Sequence, residues 1–186
     1  MMSIKGALFL LVVLFVHEAR AADYRFNAGD VIRVSVWRED GMEREEVILP
    51  DGSISFPLVG IVGASGKSAP ELEHEIAQKL EPFIPGPVVT VELVDARGNI
   101  VYVLGEVNNP GAFQISKPTT VIQALSQAGG FTPYAGTGRI KVLREEATGQ
   151  SVHPFNYKHV SVGEDLESNI QLQAGDVIVV PGGSLF

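Results

Sequence analysis

Two short helical patterns, each enclosed by runs of β-branched residues, constrain the fold of this chain most strongly. Ser68–Glu71 and Thr120–Gln123 match the capping box, in which a Ser or Thr hydroxyl and a later Glu or Gln satisfy free backbone N–H groups. One helix in each β-rich stretch predicts an α+β fold of two small β-rich domains, each with one main helix. The apolar residues at helical spacing are Leu72, Ile76 and Leu80 in the first helix and Val121, Leu125 and Ala128 in the second.

The first unit, about residues 24–95, contains five segments with the composition or alternation of strands. Pro50-Asp51-Gly52 is a turn sequence, because Pro presets one backbone dihedral and Gly accepts a positive φ. We therefore predict a hairpin between the second and third of these strands. The predicted strands are Val31–Trp37, Glu46–Leu49, Ser53–Phe56, Leu58–Val62 and Val88–Val94.

Asp95–Asn99 is a cluster of turn formers, which predicts a link to a second unit. That unit begins with a hairpin around Asn108–Gly111, continues with the second helix, which Gly129-Gly130 ends, and closes with three strands. This order of elements is that of a β-grasp-like fold. The predicted strands are Ile100–Leu104, Ala112–Ile115, Arg139–Leu143, Val152–Phe155 and Val177–Val180.

The pentapeptide Ala-Gly-Asp-Val-Ile occurs twice, at 28–32 and at 174–178. The first copy opens the first unit and the second copy closes the second unit, so the pair does not mark a repeated domain. In each copy, Gly tolerates unusual dihedrals and Asp can accept hydrogen bonds from nearby backbone N–H groups, directly before a buried strand. We predict one structural device that starts two strands.

The first 21 residues are typical of a secretory signal peptide. Lys5 supplies a positive charge, Ala7–Val16 is an apolar run too short to span a bilayer, and Ala19–Ala21 has the small-x-small pattern. This pattern predicts cleavage between Ala21 and Ala22. An uncleaved anchor and a first core strand are the alternatives.

The chain is acidic, with a formal net charge of −8, and has no cysteine. An acidic chain without basic runs is not expected to bind nucleic acid or an anionic membrane surface. Without cysteine we expect no disulfide, no cysteine-based metal site and no N-terminal lipid. The expected protein is exported, is not a lipoprotein, and is soluble or associated with a membrane only through partners.

No catalytic pattern is convincing. Gly66-Lys67-Ser68 resembles the end of a phosphate-binding P-loop, but Ile61 stands where that motif needs its first Gly, and Ser68 is explained as a helix cap. The histidines and acidic clusters lack the spacing of zinc or calcium sites, and no Gly-x-Ser-x-Gly elbow is present. We therefore predict a binding or structural protein rather than an enzyme, with no metal and no cofactor.

Four aromatic residues could stack on sugar rings: Trp37, Tyr102, Phe113 and Tyr134. Aromatic side chains in a small β-rich domain more often fill a core or an interface, so we expect packing roles for all four.

Four segments, in order, resemble the bacterial polysaccharide export protein family. They are AGDVIRVSVW (28–37), LPDGSISFPLVGIV (49–62), GEVNNPGAF (105–113) with VIQALSQAGGFT (121–132), and LQAGDVIVVPGG (172–183). Each segment alone is generic turn chemistry, but the ordered set is specific. The resemblance implies a polysaccharide export domain at 22–97 and a soluble-ligand-binding β-grasp (SLBB) domain at 98–186, after a signal peptide at 1–21.

The family carries no catalytic residues, so the motif residues are expected to form turns. They are Gly29, Asp30, Asp51, Gly52, Gly105, Pro110, Gly111, Gly129, Gly130, Gly175 and Asp176.

The resemblance implies a periplasmic protein that associates with the outer membrane through partners and acts on the outer-membrane side of a polysaccharide export translocon. Copies of the chain would form an oligomeric ring, working with an inner-membrane polysaccharide copolymerase, and a capsule or exopolysaccharide chain would pass through it. A hydrated polymer needs a wide and weakly binding conduit, and an acidic chain can line one without trapping a neutral or anionic glycan.

Two departures from the family pattern shape these expectations. Many members carry a lipidated cysteine and an amphipathic C-terminal helix that builds an outer-membrane pore, and this sequence shows neither. We therefore expect a separate outer-membrane β-barrel as a partner. One alternative is a monomeric periplasmic glycan- or ligand-binding module without a conduit role. An enzyme, such as a glycan hydrolase or an NTPase, is another, supported only by the incomplete P-loop and scattered carboxylates.

Overall fold

The computed structural model describes residues 24–146 and 148–183. The predicted signal peptide, with its cleavage between Ala21 and Ala22, lies outside the described residues. Helices combine with small sheets, so the predicted α+β fold class is confirmed. The buried apolar residues form two clusters, one within residues 26–91 and the other within residues 101–180.

The first unit is built around a three-stranded antiparallel sheet. Its elements are β1 (Val31–Val36), β2 (Arg44–Val47), β3 (Ser53–Phe56), β4 (Gly60–Gly63), α1 (Ala69–Leu80) and β5 (Val89–Asp95). β1 lies between β2 and β5, β3 and β4 form a separate hairpin, and α1 contacts β5. The helix and the hairpin enclose the first apolar cluster together with the sheet.

Periodicity decides which side chains of the first unit are buried. The predicted core face of β1, formed by Ile32, Val34 and Val36, is buried, and so are the three predicted core residues of α1. The helix begins after Ser68, whose backbone N–H donates to Glu71 Oε2 at 2.7 Å. This contact is the glutamate half of the predicted capping box.

The predicted hairpin across Pro50-Asp51-Gly52 is wrong, although the turn exists. Gly52 has a φ of +80°, and Asp51 Oδ1 accepts hydrogen bonds from the backbone N–H and the hydroxyl of Ser53 at 2.9 and 2.7 Å. However, β2 pairs with β1, and β3 pairs with β4. The turn therefore leads the chain from the sheet into the hairpin.

The pairing of β2 with β1 has two physical reasons. Arg33 and Glu45 lie directly opposite each other, and Arg33 Nη2 approaches Glu45 Oε1 at 2.6 Å. The contact continues beyond β2, where the N–H of Ile48 donates to the carbonyl of Asp30 at 2.9 Å and the Ile48 side chain is buried. These contacts join residues distant in sequence, and turn chemistry alone does not reveal them.

The second unit contains a five-stranded mixed sheet. Its elements are β6 (Ile100–Gly105), β7 (Gly111–Gln114), α2 (Val121–Gln127), β8 (Ile140–Glu146), β9 (Gly149–Phe155), α3 (Tyr157–Val160), a 3-10 helix (Leu166–Ser168) and β10 (Val177–Val180). The strand order is β7-β6-β10-β8-β9, with β10 parallel to β6 and antiparallel to β8. The last strand therefore lies at the centre, in a β-grasp-like arrangement with α2 packed against the sheet.

The short α3 and the 3-10 helix were not predicted. Asn156 begins α3, and its Oδ1 accepts a hydrogen bond from the backbone N–H of Lys158 at 3.1 Å. A helix of four residues is too short to produce a periodic apolar pattern, so only this capping residue signals it.

The hairpin of β3 and β4 offers a matched pair of isoleucines for testing the first core. Ile54 is 1% exposed and Ile61 is 75% exposed. We expect Ile54→Ala to lower the free energy of unfolding by about 2–5 kcal/mol, because it leaves a cavity. Ile61→Ala should change it by less than about 0.5 kcal/mol. Urea denaturation followed by circular dichroism measures both, and equal losses would contradict this assignment of the core.

Candidate functional site

The two Gly-Asp turns have the same internal hydrogen bonds. Asp30 Oδ2 accepts from the N–H of Asn27 at 2.7 Å, and Asp176 Oδ2 accepts from the N–H of Gln173 at 2.8 Å. The N–H of Asp30 donates to the carbonyl of Asn27, and the N–H of Asp176 donates to the carbonyl of Gln173, each at 3.1 Å. Both aspartates are fully buried. The structure therefore contains one turn geometry at two sites, as the repeated pentapeptide predicts.

The glycines of these turns also correspond. Gly29 and Gly175 have φ angles of +93° and +87°, which side chains with a Cβ adopt rarely. Each glycine N–H donates at 2.8 Å to a carbonyl of another segment, that of Ile48 for Gly29 and that of Ile100 for Gly175. Each turn is thus tied to a neighbouring segment before its strand begins.

The outer partners of the two aspartates differ. Asp30 accepts from the Tyr24 hydroxyl at 2.7 Å and from the N–H of Gly98 at 2.8 Å. Asp176 accepts two hydrogen bonds from the Arg144 guanidinium, at 2.9 and 2.7 Å. Burial raises the pKa of Tyr24, and its hydrogen bond to Asp30 raises it further, while the hydrogen bonds to Asp176 raise the pKa of Arg144. Neither Tyr24 nor Arg144 was singled out from the sequence.

The link Asp95–Asn99 is held in place by both units. Its Gly98 donates to Asp30, and a Cβ at Gly98 would overlap the carbonyl oxygen of Ala28. Asp95 Oδ1 accepts from Gln114 Nε2 of β7 at 2.9 Å. This predicted linker therefore connects the first Gly-Asp turn to the edge of the second sheet.

The motif glycines of the second unit have positive φ angles, and one of them also allows a close approach of backbone. Gly105 has a φ of +94°, and a Cβ there would overlap the carbonyl of Val180 in the adjacent strand. Gly129 and Gly130 have φ angles of +77° and +75° at the end of α2. Gly111, which follows Pro110, has a φ of +159° and begins β7.

Two of the family-like segments bind each other at the end of α2. Asn108 donates through its N–H to the carbonyl of Gly130 at 3.0 Å and through its Nδ2 to the carbonyl of Gly129 at 2.6 Å. The N–H of Asn109 donates to the carbonyl of Ala128 at 2.9 Å. The segments around 105–113 and 121–132 therefore form one joined turn structure.

The residues that resembled a P-loop have structural partners. Lys67 forms an ion pair with Glu75 and donates to the carbonyl of Gly63 at 2.7 Å, while Ser68 begins α1. Within residues 24–146 and 148–183, no group of three or more His, Asp or Glu side chains could hold a metal ion. In the same residues no helix is long and apolar enough to cross a membrane.

The four aromatic residues differ in their surroundings. Phe113 packs against the second core, as expected. Trp37 and Tyr134 are 69% and 70% exposed, and Tyr102 is 42% exposed. Core packing is therefore wrong for Trp37 and Tyr134, and an interface role stays a prediction.

One face of the second sheet carries a row of apolar side chains without a covering helix. Within β6, Val101 and Val103 are buried toward α2, whereas Tyr102 and Leu104 point to the opposite face. Strand register places residues of β10, β8 and β9 beside them. We call this surface the open sheet face; it comprises Tyr102, Leu104, Leu143, Val152, Val177 and Val179, and Lys141 lies beside Val179 on the same face.

The chain matches two family models in succession. Residues 18–94 match the model described as polysaccharide biosynthesis/export protein, and residues 100–156 match the model of the SLBB domain. Residues 18–94 therefore belong to the polysaccharide export protein family, and they are followed by an SLBB domain match. The export segment thus precedes one SLBB domain, as the resemblance implied, while the boundaries 22–97 and 98–186 stay predictions.

Curated relatives carry names of the same kind. The chain is 28% identical to the EPS I polysaccharide export outer membrane protein EpsA of Ralstonia nicotianae, over 87% of this chain and 48% of that protein. It is 35% identical to the exopolysaccharide production protein ExoF of Rhizobium meliloti, over 60% of this chain and 29% of that protein. It is 32% identical to the polysialic acid transport protein KpsD of Escherichia coli, over 62% and 21%. The chain spans about half, or less, of these relatives' length, and their names describe export, production and transport rather than enzymes.

The buried pair of Arg144 and Asp176 is expected to stabilise the second unit. Asp176→Ala should lower the free energy of unfolding by about 3–5 kcal/mol, because Arg144, whose side chain is only 13% exposed, loses its partner. Arg97→Ala is the control, since its ion pair with Asp95 is largely exposed and should contribute about 0–1 kcal/mol. Chemical denaturation monitored by circular dichroism gives both values.

Two further variants separate the ion pair from the turn. Asp176→Asn keeps an oxygen for the N–H of Gln173 but loses the charge, so it should fall between the wild type and Asp176→Ala. Adding Arg144→Met to Asp176→Ala removes the unpaired cation and should recover part of the loss. Equal costs for Asp176→Ala and Arg97→Ala would contradict this role of the buried pair.

Proposed function

We propose that this protein is the periplasmic, outer-membrane-side component of a polysaccharide export translocon. The observation that carries the proposal is the ordered pair of family matches, an export domain followed by an SLBB domain. The names of the relatives support the same process. In this proposal an inner-membrane polysaccharide copolymerase delivers a capsule or exopolysaccharide chain, and an outer-membrane partner takes part in its release.

The protein acts as an oligomeric ring in this proposal. The open sheet face supports assembly, because soluble monomers rarely expose a large contiguous apolar patch unless it binds something. A ring needs two different complementary surfaces on each copy, and the open sheet face would supply one of them. The charge of −8 suits a conduit, because an acidic lining does not retain a neutral or anionic glycan.

Deletion of the protein tests the export role directly. A strain without the protein should lose most extracellular polysaccharide and retain polymer in the cell, because the translocon lacks its periplasmic component. Expression of the wild-type chain should restore the extracellular polymer. Polymer is measured as uronic acid and total hexose in supernatant and cell fractions. Unchanged export in the deletion strain would overturn the proposal and favour a monomeric glycan- or ligand-binding module.

A charge on the open sheet face tests the ring. Leu104→Glu, at a position that is 49% exposed, should reduce the oligomeric fraction in light scattering and cross-linking and lower export by several fold. Ile61→Glu introduces the same charge at a position that is 75% exposed in the first unit, and it is expected to change neither. Wild-type assembly of folded Leu104→Glu protein would exclude this face as the interface.

A further inference from the structure

A cleft of about 630 Å³ opens on the second unit. It lies between the segment 133–139, Lys158 of α3 and Gly182-Gly183, which follow the central strand β10. The volume is in the range of small-ligand sites. Gly182-Gly183 end the family-like segment 172–183, and Tyr134 is one of the four aromatic residues noted in the sequence, but the proposed ring does not account for this cleft.

The walls of the cleft are fixed by backbone hydrogen bonds. The N–H of Gly136 donates to the carbonyl of Pro181 at 2.7 Å, and the N–H of Gly183 donates to the carbonyl of Tyr134 at 2.5 Å. Arg139 Nη2 adds a hydrogen bond to the carbonyl of Gly182 at 3.0 Å. These contacts lie within the protein and fix the walls of the cleft, and a fixed site reduces the ordering cost of binding.

The cleft is lined by positive charge, although the protein is acidic overall. Arg139 and Lys158 both line it, and no acidic side chain does. In the part of the chain that the structure describes, neither residue forms an ion pair. Arg38, Arg44, Lys117 and Lys141 also form no ion pair in the described residues, but they do not line the cleft. The two cations at the cleft are therefore available to an anion.

An aromatic ring, that of Tyr134, also lines the cleft. Tyr134 is 70% exposed although it lies in a segment that is hydrogen bonded on both sides of the cleft. A rigid ring with an apolar face and a polar tip suits a ligand that has both C–H and hydroxyl groups. A sugar residue has both.

We propose that this cleft binds a carboxylate-bearing sugar residue of a glycan. The ring of Tyr134 stacks on the sugar, and Arg139 and Lys158 pair with the carboxylate. The source of the sugar rests on the proposed export function, because the exported chain would then be an acidic polysaccharide. The binding site itself rests only on the geometry and charge of the cleft.

The hydrogen bonds of the walls argue against a phosphate ligand. Phosphate sites commonly use free backbone N–H groups of glycine-rich segments. Here the N–H groups of Gly136 and Gly183 already donate to carbonyls of the protein. The side chains of Arg139 and Lys158 supply the positive charge at the cleft, and the planar guanidinium of Arg139 matches a carboxylate.

Binding of two sugar oligomers to the purified full-length protein tests the proposal. The probes are a galacturonic acid hexamer and maltohexaose, a neutral hexamer, measured by isothermal titration calorimetry. We expect the acidic hexamer to bind more tightly than the neutral one by about tenfold or more, and its affinity to fall as salt is added. Equal affinities, or competition by sodium acetate alone at matched carboxylate concentration, would overturn the proposal.

Variants assign the binding to the cleft. The double substitution Arg139→Gln and Lys158→Gln should remove the preference for the acidic hexamer. Tyr134→Ala should weaken binding several fold, and Tyr134→Phe should restore it because the ring is kept. Lys117→Gln is the matched control, since Lys117 is an exposed cation that does not line the cleft. An unchanged preference in the folded double variant would overturn the proposal.

The binding test and the deletion test can reject their two proposals independently. Loss of export on deletion, with no preference for the acidic hexamer, would reject only the acidic-sugar site. Binding that depends on Arg139 and Lys158, together with normal export in the deletion strain, would reject only the export role.

Discussion

Two fully buried aspartates position the central strands of the two larger sheets, and the rest of the fold depends on them. Asp30 directly precedes β1, which lies between β2 and β5, and Asp176 directly precedes β10, which lies between β6 and β8. A buried carboxylate is costly unless all its oxygens are engaged, so each aspartate permits few alternative arrangements. Gly98 donates to Asp30, and Arg144 of the neighbouring β8 donates to Asp176. The first Gly-Asp turn therefore joins the link to the first sheet. The second Gly-Asp turn joins β10 to β8 within the second sheet.

The distribution of cations explains how an acidic chain can still recognise an anion. Exposed ion pairs contribute little to stability, but they neutralise the cations that form them. Arg33, for example, lies among three glutamates of the first sheet and offers no positive surface there. Arg139 and Lys158, by contrast, line a cleft without a carboxylate. The chain therefore has a locally basic cleft although its formal net charge is −8.

Sequence patterns predicted what depends on neighbouring residues, and they failed where distant segments meet. The core faces of β1 and α1, the cap at Ser68 and the paired turns follow from spacing alone. The predicted hairpin across Pro50–Gly52 is wrong because β2 pairs with β1 instead. Arg144 lies 32 residues before Asp176, so no local pattern joins them. The sequence did not predict the cleft, because its walls also come from distant segments. Gly182, which follows β10, lies against the segment 133–139.

A conduit for a long polymer must contact its cargo without holding it. A site passes cargo onward only if binding is favourable enough for entry and weak enough for release. An open cleft with one exposed aromatic ring and two exposed cations meets that requirement better than a deep pocket would, because solvent screens its charges. In a ring, each copy would repeat the same weak contact, so the polymer stays near the assembly while any single contact breaks readily. Weak recognition at Tyr134, Arg139 and Lys158 is therefore compatible with transport.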